Sequence, residues 1–196
     1  MKIGILGGTF NPVHFGHLAM AQYVLNQMEL DKICFLPNGQ PPHKKSDGVA
    51  DKYHRLQMVR IAIKDNDAFY VSDYEVLKDE YCYTIDTIRH FMSLNEKDEY
   101  FFIIGADSLF KLTTWKCADE LKKICSFIVC DRKGSGNTDA EAQRLRQDGY
   151  SIQKVDMPFV EIDSTAIRAM VRKNENISEY TPTEVAEYIL NNKLYI

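Results

Sequence analysis

Residues Gly7–His17 read GGTFNPVHFGH and separate two segments of different periodicity. The six residues before them, MKIGIL, form a short apolar run that is typical of a buried strand. After them, apolar residues recur at helical spacing from Leu18 to Met28, which predicts an amphipathic helix that begins near His17. A strand, a glycine-containing turn and a helix in this order indicate an open α/β sheet, which binds ligands at the carboxyl ends of its strands.

Two features of this turn favour the binding of an anion such as phosphate. Gly7 and Gly8 let the backbone approach a bulky ligand, and the start of the next helix presents N–H groups and a positive dipole. His14 and His17 are three residues apart, so both imidazoles point the same way if the helix starts there, and both can donate to phosphate oxygens. The alternative is a pair of surface histidines with packing or capping roles. We favour binding because two of the five histidines share this motif.

A second candidate anion site is the segment EIDSTAIR, from Glu161 to Arg168. Apolar residues at helical spacing follow, so the segment predicts the start of a helix that Asp163 or Ser164 caps. Hydroxyl groups at a helix start, with an arginine one turn later, can together hold an anion. As a capping motif alone, such a segment would be commonplace.

The composition is that of an ordinary globular protein. The 196 residues are 45% hydrophobic and 27% charged, with a net charge of −4, which argues against general nucleic-acid binding. No apolar stretch approaches the roughly 18 residues of a membrane span. Five cysteines without a Cys-x-x-Cys pair make zinc and disulfides unexpected, and favour a reducing compartment, the cytoplasm. A homo-oligomer is compatible with the sequence.

Strand and helix patterns alternate along the chain. This alternation predicts a Rossmann-like, doubly wound, mostly parallel sheet of five or six strands with helices on both faces. We expect one domain over residues 1–196, with the C-terminal helical part (about 164–196) packed on it. Residues 181–184, TPTE, predict a capping box with proline at the first helical position. Arg55 and Arg60 are expected to be solvated or salt-bridged.

The GGTFNP and HFGH segments resemble the signature of the HxGH nucleotidyltransferases. Nearly from end to end, the chain is similar to the bacterial nicotinate-mononucleotide adenylyltransferases in particular. That family usually has Asp where this chain has Asn11, a loss of one charge from which we expect little consequence. The resemblance implies that ATP and nicotinate mononucleotide react to give deamido-NAD and pyrophosphate, with Mg²⁺ bound mainly by the ATP phosphates and no metal site on the protein.

The resemblance also implies roles for individual residues. The catalytic positions are matched by His14, His17 and Arg168. The ATP-binding positions are matched by Gly7, Gly8, Thr9, Phe10, His14, His17, Gly105, Asp107, Ser164, Thr165 and Arg168. The positions that bind nicotinate mononucleotide are matched by His43, Lys44, Tyr83, Thr84, Trp115 and Arg132. Asp163 stands where the family usually has a serine, and an acid there could repel phosphate, assist magnesium or simply cap the helix.

Several of these residues have a plainer interpretation from the sequence alone. The histidine and lysines of the long loop around residues 38–48 could be solvated, and Arg132 could be a surface arginine. Thr84 suits a helix N-cap, which would make Thr87 the third helical residue. Asp107 could cap the turn that follows it. Trp115 is either a cover over the core or a stacking surface for a flat ring.

Two other functions remain as alternatives. Another HxGH adenylyltransferase, such as phosphopantetheine adenylyltransferase, would share the first and last motifs. We would not expect it to carry Pro41-Pro42-His43-Lys44, Tyr83-Thr84 and Trp115 together. A non-catalytic nucleotide sensor should show a broken histidine pair or lack Arg168, and this sequence retains both.

Overall fold

The computed structural model describes residues 1–39, 48–132, 136–157 and 162–196, with the backbone alone at Arg132. The strands are β1 (Lys2–Gly8), β2 (Lys32–Pro37), β3 (Phe69–Val71), β4 (Glu99–Gly105), β5 (Ser126–Arg132) and β6 (Ser151–Met157). The helices are α1 (Phe15–Gln27), α2 (Lys52–Ile63), α3 (Thr84–Leu94), α4 (Ala106–Leu109), α5 (Ala118–Ile124), α6 (Thr138–Gln147), α7 (Ser164–Arg172) and α8 (Thr183–Asn191), with a 3-10 turn at Leu112–Thr114.

The strands of the described residues form one six-stranded sheet with the order β3-β2-β1-β4-β5-β6. β1, β4, β5 and β6 pair in parallel, and Leu6 lies opposite Ile103. The predicted Rossmann-like α/β fold is thus confirmed, with six strands. From β1 the chain proceeds outward to β2 and β3, and then returns to the other side with β4. Such a reversal of strand order is where open α/β sheets bind ligands.

The apolar runs of the sequence are the central strands. Ile5, Phe127, Ile128 and Val129 are fully buried, and Ile103 is 1% exposed. Strands that are covered on both faces read as continuous hydrophobic runs instead of alternating ones. This is why β1, β4 and β5 could be recognised from the sequence.

Contacts divide the chain into two compact units. Unit 1 comprises Met1–Gly7, Met20–Cys34 and Cys82–Phe159, and unit 2 comprises Gly8–Ala19, Phe35–Tyr81 and Val160–Ile196. Unit 1 contains the paired strands β4, β5 and β6. In unit 2, α2 packs with α8, where His54 Nδ1 lies 2.8 Å from the Tyr188 hydroxyl.

The starts of α1 and α3 differ from the prediction by one or two residues. α1 begins at Phe15, two residues before His17, because the His14 carbonyl accepts from the His17 N–H at 2.9 Å. α3 begins at Thr84 itself, and its N-cap is Tyr83, which makes no side-chain capping bond. At α3 a backbone carbonyl starts the helix without a capping side chain, so the sequence carries only a weak signal there.

The capping box predicted at residues 181–184 is wrong. α8 begins at Thr183, and Pro182 precedes it as the N-cap without a side-chain bond. The hydroxyl of Thr181 instead donates to the Val13 carbonyl at 2.8 Å and is fully buried. A tertiary hydrogen bond has therefore replaced the local one.

Asp163 is the N-cap of α7, one of the two residues proposed for that role. Its carboxylate accepts from the Thr165 N–H at 2.6 Å. This backbone hydrogen bond is the largest cause that lowers the pKa of Asp163 below its ordinary value of 3.8, and the charge of Arg168 contributes. The charged carboxylate is therefore part of what stabilises the start of α7.

None of the helices within the described ranges is long and apolar enough to cross a lipid bilayer.

The cap of α7 can be tested by replacing Asp163. We expect Asp163→Ala to lower the free energy of unfolding at pH 7 by about 0.5–2 kcal/mol, and Asp163→Asn to retain most of it, since asparagine also caps helices. Because the folded-state pKa lies below the unfolded-state value, the carboxylate stabilises the fold above the unfolded-state pKa, and this stabilisation is lost as pH falls through the folded-state pKa. Urea unfolding from pH 7 down to the acid range measures both effects.

The difference in free energy of unfolding between the natural chain and Asp163→Ala should become smaller in the acid range. The difference between Asp163→Asn and Asp163→Ala should not. Equal stability of the asparagine and alanine variants at pH 7 would show that Asp163 does not act as a cap.

Candidate functional site

The turn between β1 and α1, here called the histidine turn (Gly8–His17), has a tightly constrained backbone. Phe10 has a positive φ of 47° and is 2% exposed, so its ring is directed into the core. A Cβ on Gly8 would lie 3.0 Å from that ring, which explains the glycine. The Asn11–Pro12 peptide bond is cis. The buried ring of Phe10 and its close approach to Gly8 therefore fix the conformation of the histidine turn within unit 2.

The two histidines of the turn lie against each other. Their ring centroids are 3.7 Å apart. The backbone N–H of His14 donates to His17 Nδ1 at 3.3 Å. His17 Nδ1 is thus an acceptor, so in the neutral ring Nε2 carries the proton. A Cβ on Gly16 would lie 3.0 Å from the His14 ring, so glycine is needed between the histidines. His14 is 4% exposed, which excludes a surface role for it.

α7 meets the histidine turn directly. Ser164 Oγ donates to the Pro12 carbonyl at 3.0 Å, and Arg168 Nη1 donates to the Asn11 carbonyl at 2.8 Å. The two motifs that the sequence separates by about 150 positions are therefore neighbours within unit 2.

The hydrogen bonds of α7 decide which of its groups can still donate to a ligand. The Ser164 hydroxyl proton is used by Pro12, and the Thr165 N–H is used by the cap. Thr165 Oγ1 accepts from Arg168 Nη2 at 3.3 Å, which leaves the threonine proton to donate. Arg168 Nε is buried and has no hydrogen-bond partner among the described residues. Arg168 and the Thr165 hydroxyl are thus the strongest remaining donors of this segment.

Asn11 does more than the sequence suggests. Its Nδ2 donates to the Gly48 carbonyl at 2.8 Å, and its Oδ1 accepts from the Ala50 N–H at 2.9 Å. An ionised aspartate could make the second bond but not the first, because a carboxylate only accepts. The replacement of the family's usual Asp therefore has a local consequence that we did not expect.

Arg55 is a residue whose role the sequence analysis missed. It was expected to be solvated or salt-bridged, but it is 1% exposed. All five of its N–H groups donate to neutral oxygens at 2.6–3.0 Å. The acceptors are the backbone carbonyls of Thr9, Asn38, Gly39 and Ala50 and the side-chain oxygen Oδ1 of Asn38. Burial lowers the pKa of Arg55 from its ordinary value. α2 carries two arginines, and nothing in the sequence distinguishes the buried Arg55 from the exposed Arg60.

Tyr195, near the end of the chain, was also missed. Its side chain is 9% exposed, and its hydroxyl has no hydrogen-bond partner among the described residues. Burial raises the pKa of this phenol, and the charges of Arg168 and Arg55 act against the rise. A terminal Leu-Tyr-Ile segment is read as packing, so nothing in the sequence points to a polar group there.

Three predicted ligands in unit 1 lie at the carboxyl ends of two neighbouring parallel strands or just beyond them. They are Gly7, Gly105 and Asp107. Gly7 is in β1, and Gly105 is the last residue of β4. A Cβ on Gly105 would meet nothing within 4 Å. Asp107 is exposed within α4, whose N-cap is Gly105. The alternative that Asp107 caps this helix is therefore wrong.

Trp115 is half-buried in unit 1 and contacts two core rings. Its ring stands edge-to-face against Phe102 and Phe127, with centroid distances of 6.2 Å to each. These contacts fix the orientation of the indole, so Trp115 does cover part of the core. They leave part of the ring exposed, as a stacking surface requires.

Tyr83 and Thr84 stand at the start of α3 in unit 1. The Tyr83 carbonyl accepts from the N–H groups of Asp86 and Thr87, so Thr87 is the fourth helical residue and not the third. Lys116 Nζ lies 3.8 Å from the centre of the Tyr83 ring, a cation–π contact. Tyr83 is 39% exposed.

Three predicted ligands of nicotinate mononucleotide cannot be placed. His43 and Lys44 lie outside the described residues, and so does the side chain of Arg132.

Comparisons with known proteins agree with this arrangement. A family model described as cytidylyltransferase-like matches residues 5–170. A protein of Thermoanaerobacter sp. (strain X514) named "probable nicotinate-nucleotide adenylyltransferase" is 43% identical over all of this chain and 94% of its own length. A relative of the same name from Clostridium acetobutylicum is 38% identical over all of this chain and 99% of its own.

The fold is also found among solved structures. The Plasmodium falciparum nicotinic acid mononucleotide adenylyltransferase complexed with NaAD has a TM-score of 0.82, with 99% of this chain and 97% of that chain covered. Their sequence identity is 19%, so this likeness concerns the fold. From the two full-length relatives and the family match, it follows that this chain belongs to the nicotinate-nucleotide adenylyltransferases, within the cytidylyltransferase-like family.

Proposed function

We propose that this protein transfers the adenylyl group of ATP to nicotinate mononucleotide, giving deamido-NAD and pyrophosphate, a step of NAD biosynthesis. The observation that carries the proposal is the pair of hydrogen bonds from Ser164 and Arg168 to the carbonyls of Pro12 and Asn11. They bring the donors of two distant motifs into one cluster, and such a cluster suits a polyphosphate.

The chemistry needs little from the protein beyond alignment and charge stabilisation. An oxygen of the mononucleotide phosphate attacks the α-phosphorus of ATP, and the bond from that phosphorus to the bridging oxygen breaks, which releases pyrophosphate. A phosphate monoester is largely deprotonated near pH 7, so no strong base is required. Catalysis comes from holding both phosphates in line and from donors directed at the developing charge.

Donors of unit 2 hold the triphosphate. His17 donates from Nε2, because its Nδ1 accepts from the His14 N–H. Arg168 donates from its remaining N–H groups, and the Thr165 hydroxyl adds one more. His14 lies against His17 and contributes to the same cluster, and Ser164 acts mainly by fixing the histidine turn. Gly8, Thr9 and Phe10 line that turn.

The other residues that the resemblance singles out have roles toward the rest of the two substrates. Asp107 accepts from ribose hydroxyls, Gly105 leaves space for the nucleotide, and Gly7 lets the backbone come close to it. Trp115 stacks on the pyridine ring, and the backbone N–H groups of Tyr83 and Thr84 at the start of α3 meet the nicotinate carboxylate. His43, Lys44 and Arg132 complete this side near the mononucleotide phosphate.

Magnesium accompanies ATP as part of the substrate. Within the described ranges, no three His, Cys, Asp or Glu side chains are grouped so that they could hold a metal ion. We propose that the phosphate oxygens of ATP are its main ligands, where its charge would offset the negative charge that develops on them.

The cysteines support a reducing compartment, and we place the protein in the cytoplasm. All five are free thiols, and Cys34, Cys125 and Cys130 are buried. Burial raises the pKa of the Cys125 thiol to about 12, so this group stays protonated and packs as a small apolar side chain.

The proposed function is tested by mixing the purified protein with ATP, Mg²⁺ and one acceptor at a time. Pyrophosphate release and dinucleotide formation are measured with nicotinate mononucleotide, its amide analogue and phosphopantetheine. We expect turnover with the mononucleotides and a preference for the acid. Turnover with phosphopantetheine would identify the other adenylyltransferase, and ATP binding without any product would indicate a sensor.

His17→Ala should slow turnover by about 10²–10³-fold, the loss typical of a donor to a developing negative charge. The measurement is kcat from initial rates of pyrophosphate release, with folding checked by circular dichroism. His54→Ala is the matched control, since His54 contacts Tyr188 on α8 and has no proposed ligand. Near-normal kcat in a folded His17→Ala variant would remove this residue from the mechanism.

Trp115→Ala should raise the KM for nicotinate mononucleotide about tenfold, because stacking on a base is worth roughly 1–3 kcal/mol. The KM for ATP should change little. Trp115→Phe keeps a flat ring and should restore part of the affinity. Initial rates with each substrate varied in turn give the two constants.

An equal loss of affinity for both substrates in the alanine variant would contradict stacking. It would indicate that Trp115 acts only through its packing on Phe102 and Phe127.

A further inference from the structure

The buried guanidinium of Arg55 contacts the histidine turn both directly and through Asn38. Its Nη1 donates to the Thr9 carbonyl at 2.7 Å and to Asn38 Oδ1 at 3.0 Å. The Asn38 amide then reaches the Thr9 side chain, since its Nδ2 donates to Thr9 Oγ1 at 3.3 Å. Arg55, Asn38 and Thr9 therefore form a chain of hydrogen bonds that starts in the core and ends at a half-buried hydroxyl.

This chain has a fixed direction. An arginine can only donate, so it selects the orientation of Asn38 in which the amide oxygen faces Arg55 and the amide nitrogen faces Thr9. The reverse orientation would place two donors against each other. Thr9 Oγ1 is consequently an acceptor toward Asn38, and its own proton is directed elsewhere.

We infer that Arg55 and Asn38 are positioning residues that make Thr9 a hydrogen-bond donor to a substrate phosphate. This inference rests on the proposed function and goes beyond it, because it assigns the direction of a hydrogen bond and the residues that set it. The guanidinium is well suited to the task, since its five donors are all used and it cannot rotate without losing several hydrogen bonds.

Arg55 itself is a poor position for the test, because its removal would leave five buried oxygens without a donor and would destabilise the fold. Asn38 offers a cleaner pair of variants. In Asn38→Asp, a carboxylate faces both Arg55 and Thr9, so it accepts hydrogen bonds from Arg55 and from the Thr9 hydroxyl, which then no longer donates to the phosphate. In Asn38→Ala, the Thr9 hydroxyl keeps its proton and can still turn toward the phosphate.

Asn38→Asp should therefore be the less active but the more stable of the two variants. We expect kcat/KM for ATP to fall about 10²-fold in Asn38→Asp and severalfold in Asn38→Ala, by analogy with the loss of one oxyanion donor. The melting temperature should be unchanged or higher in Asn38→Asp, which gives Arg55 an anionic partner, and about 2–4 °C lower in Asn38→Ala. A purely structural role of Asn38 would make activity follow stability.

A carboxylate at residue 38 could also repel phosphate by its charge alone, and Thr9→Val separates the two causes. In a Thr9→Val background there is no hydroxyl proton to divert, so the aspartate and alanine variants should have the same kcat/KM within about twofold. If Asn38→Asp remains far less active than Asn38→Ala in that background, or if the two are equally active with Thr9 present, the inference is wrong.

The natural chain, assayed in parallel with ATP and nicotinate mononucleotide, separates this inference from the proposed function. Absence of product from the natural chain would overturn the function itself. Normal product, together with independent effects of Thr9 and Asn38, would overturn the positioning role alone.

Discussion

The hydrogen bonds between α7 and the histidine turn are the constraint on which the rest of the site depends. Ser164 and Pro12 are 152 positions apart, and Arg168 and Asn11 are 157 apart. In both bonds a side chain donates to a backbone carbonyl of the turn, so the cluster does not require any one side chain on the turn for its assembly. The N–H and O–H groups that do not donate to these carbonyls remain for a ligand. Different donors of α7 therefore hold the turn and bind the ligand.

A second constraint is the burial of a full positive charge beside that turn. Taking a guanidinium out of water is costly, and Arg55 offsets the cost with five hydrogen bonds to neutral oxygens, without an anionic partner in any of them. The arrangement leaves a net positive potential close to Thr9. A positive potential of this kind favours an anionic ligand and, unlike a surface lysine, is little screened by salt.

The sequence predicted the fold well for clear physical reasons. Strands buried on both faces read as apolar runs, and the alternation with helical patterns left few other topologies. The histidine turn and α7 were also recognisable, because glycines, histidines and a cap occur there at fixed spacing. Arg55, Asn38 and Tyr195 were not, since their roles arise from contacts between distant segments, and a single polar residue looks the same whether it is buried or solvated. The start of α8 was misjudged because a tertiary hydrogen bond of Thr181 replaced a local cap, and the start of α3 because no side chain caps it.

The described residues on either side of residues 40–47 are anchored by hydrogen bonds. On one side Arg55 binds the Asn38 and Gly39 carbonyls, and on the other Asn11 and Arg55 bind Gly48 and Ala50. Arg55 also donates to the Thr9 carbonyl, so one guanidinium joins both flanks to the histidine turn. A substitution that displaces this guanidinium would therefore disturb the two flanks and the turn together.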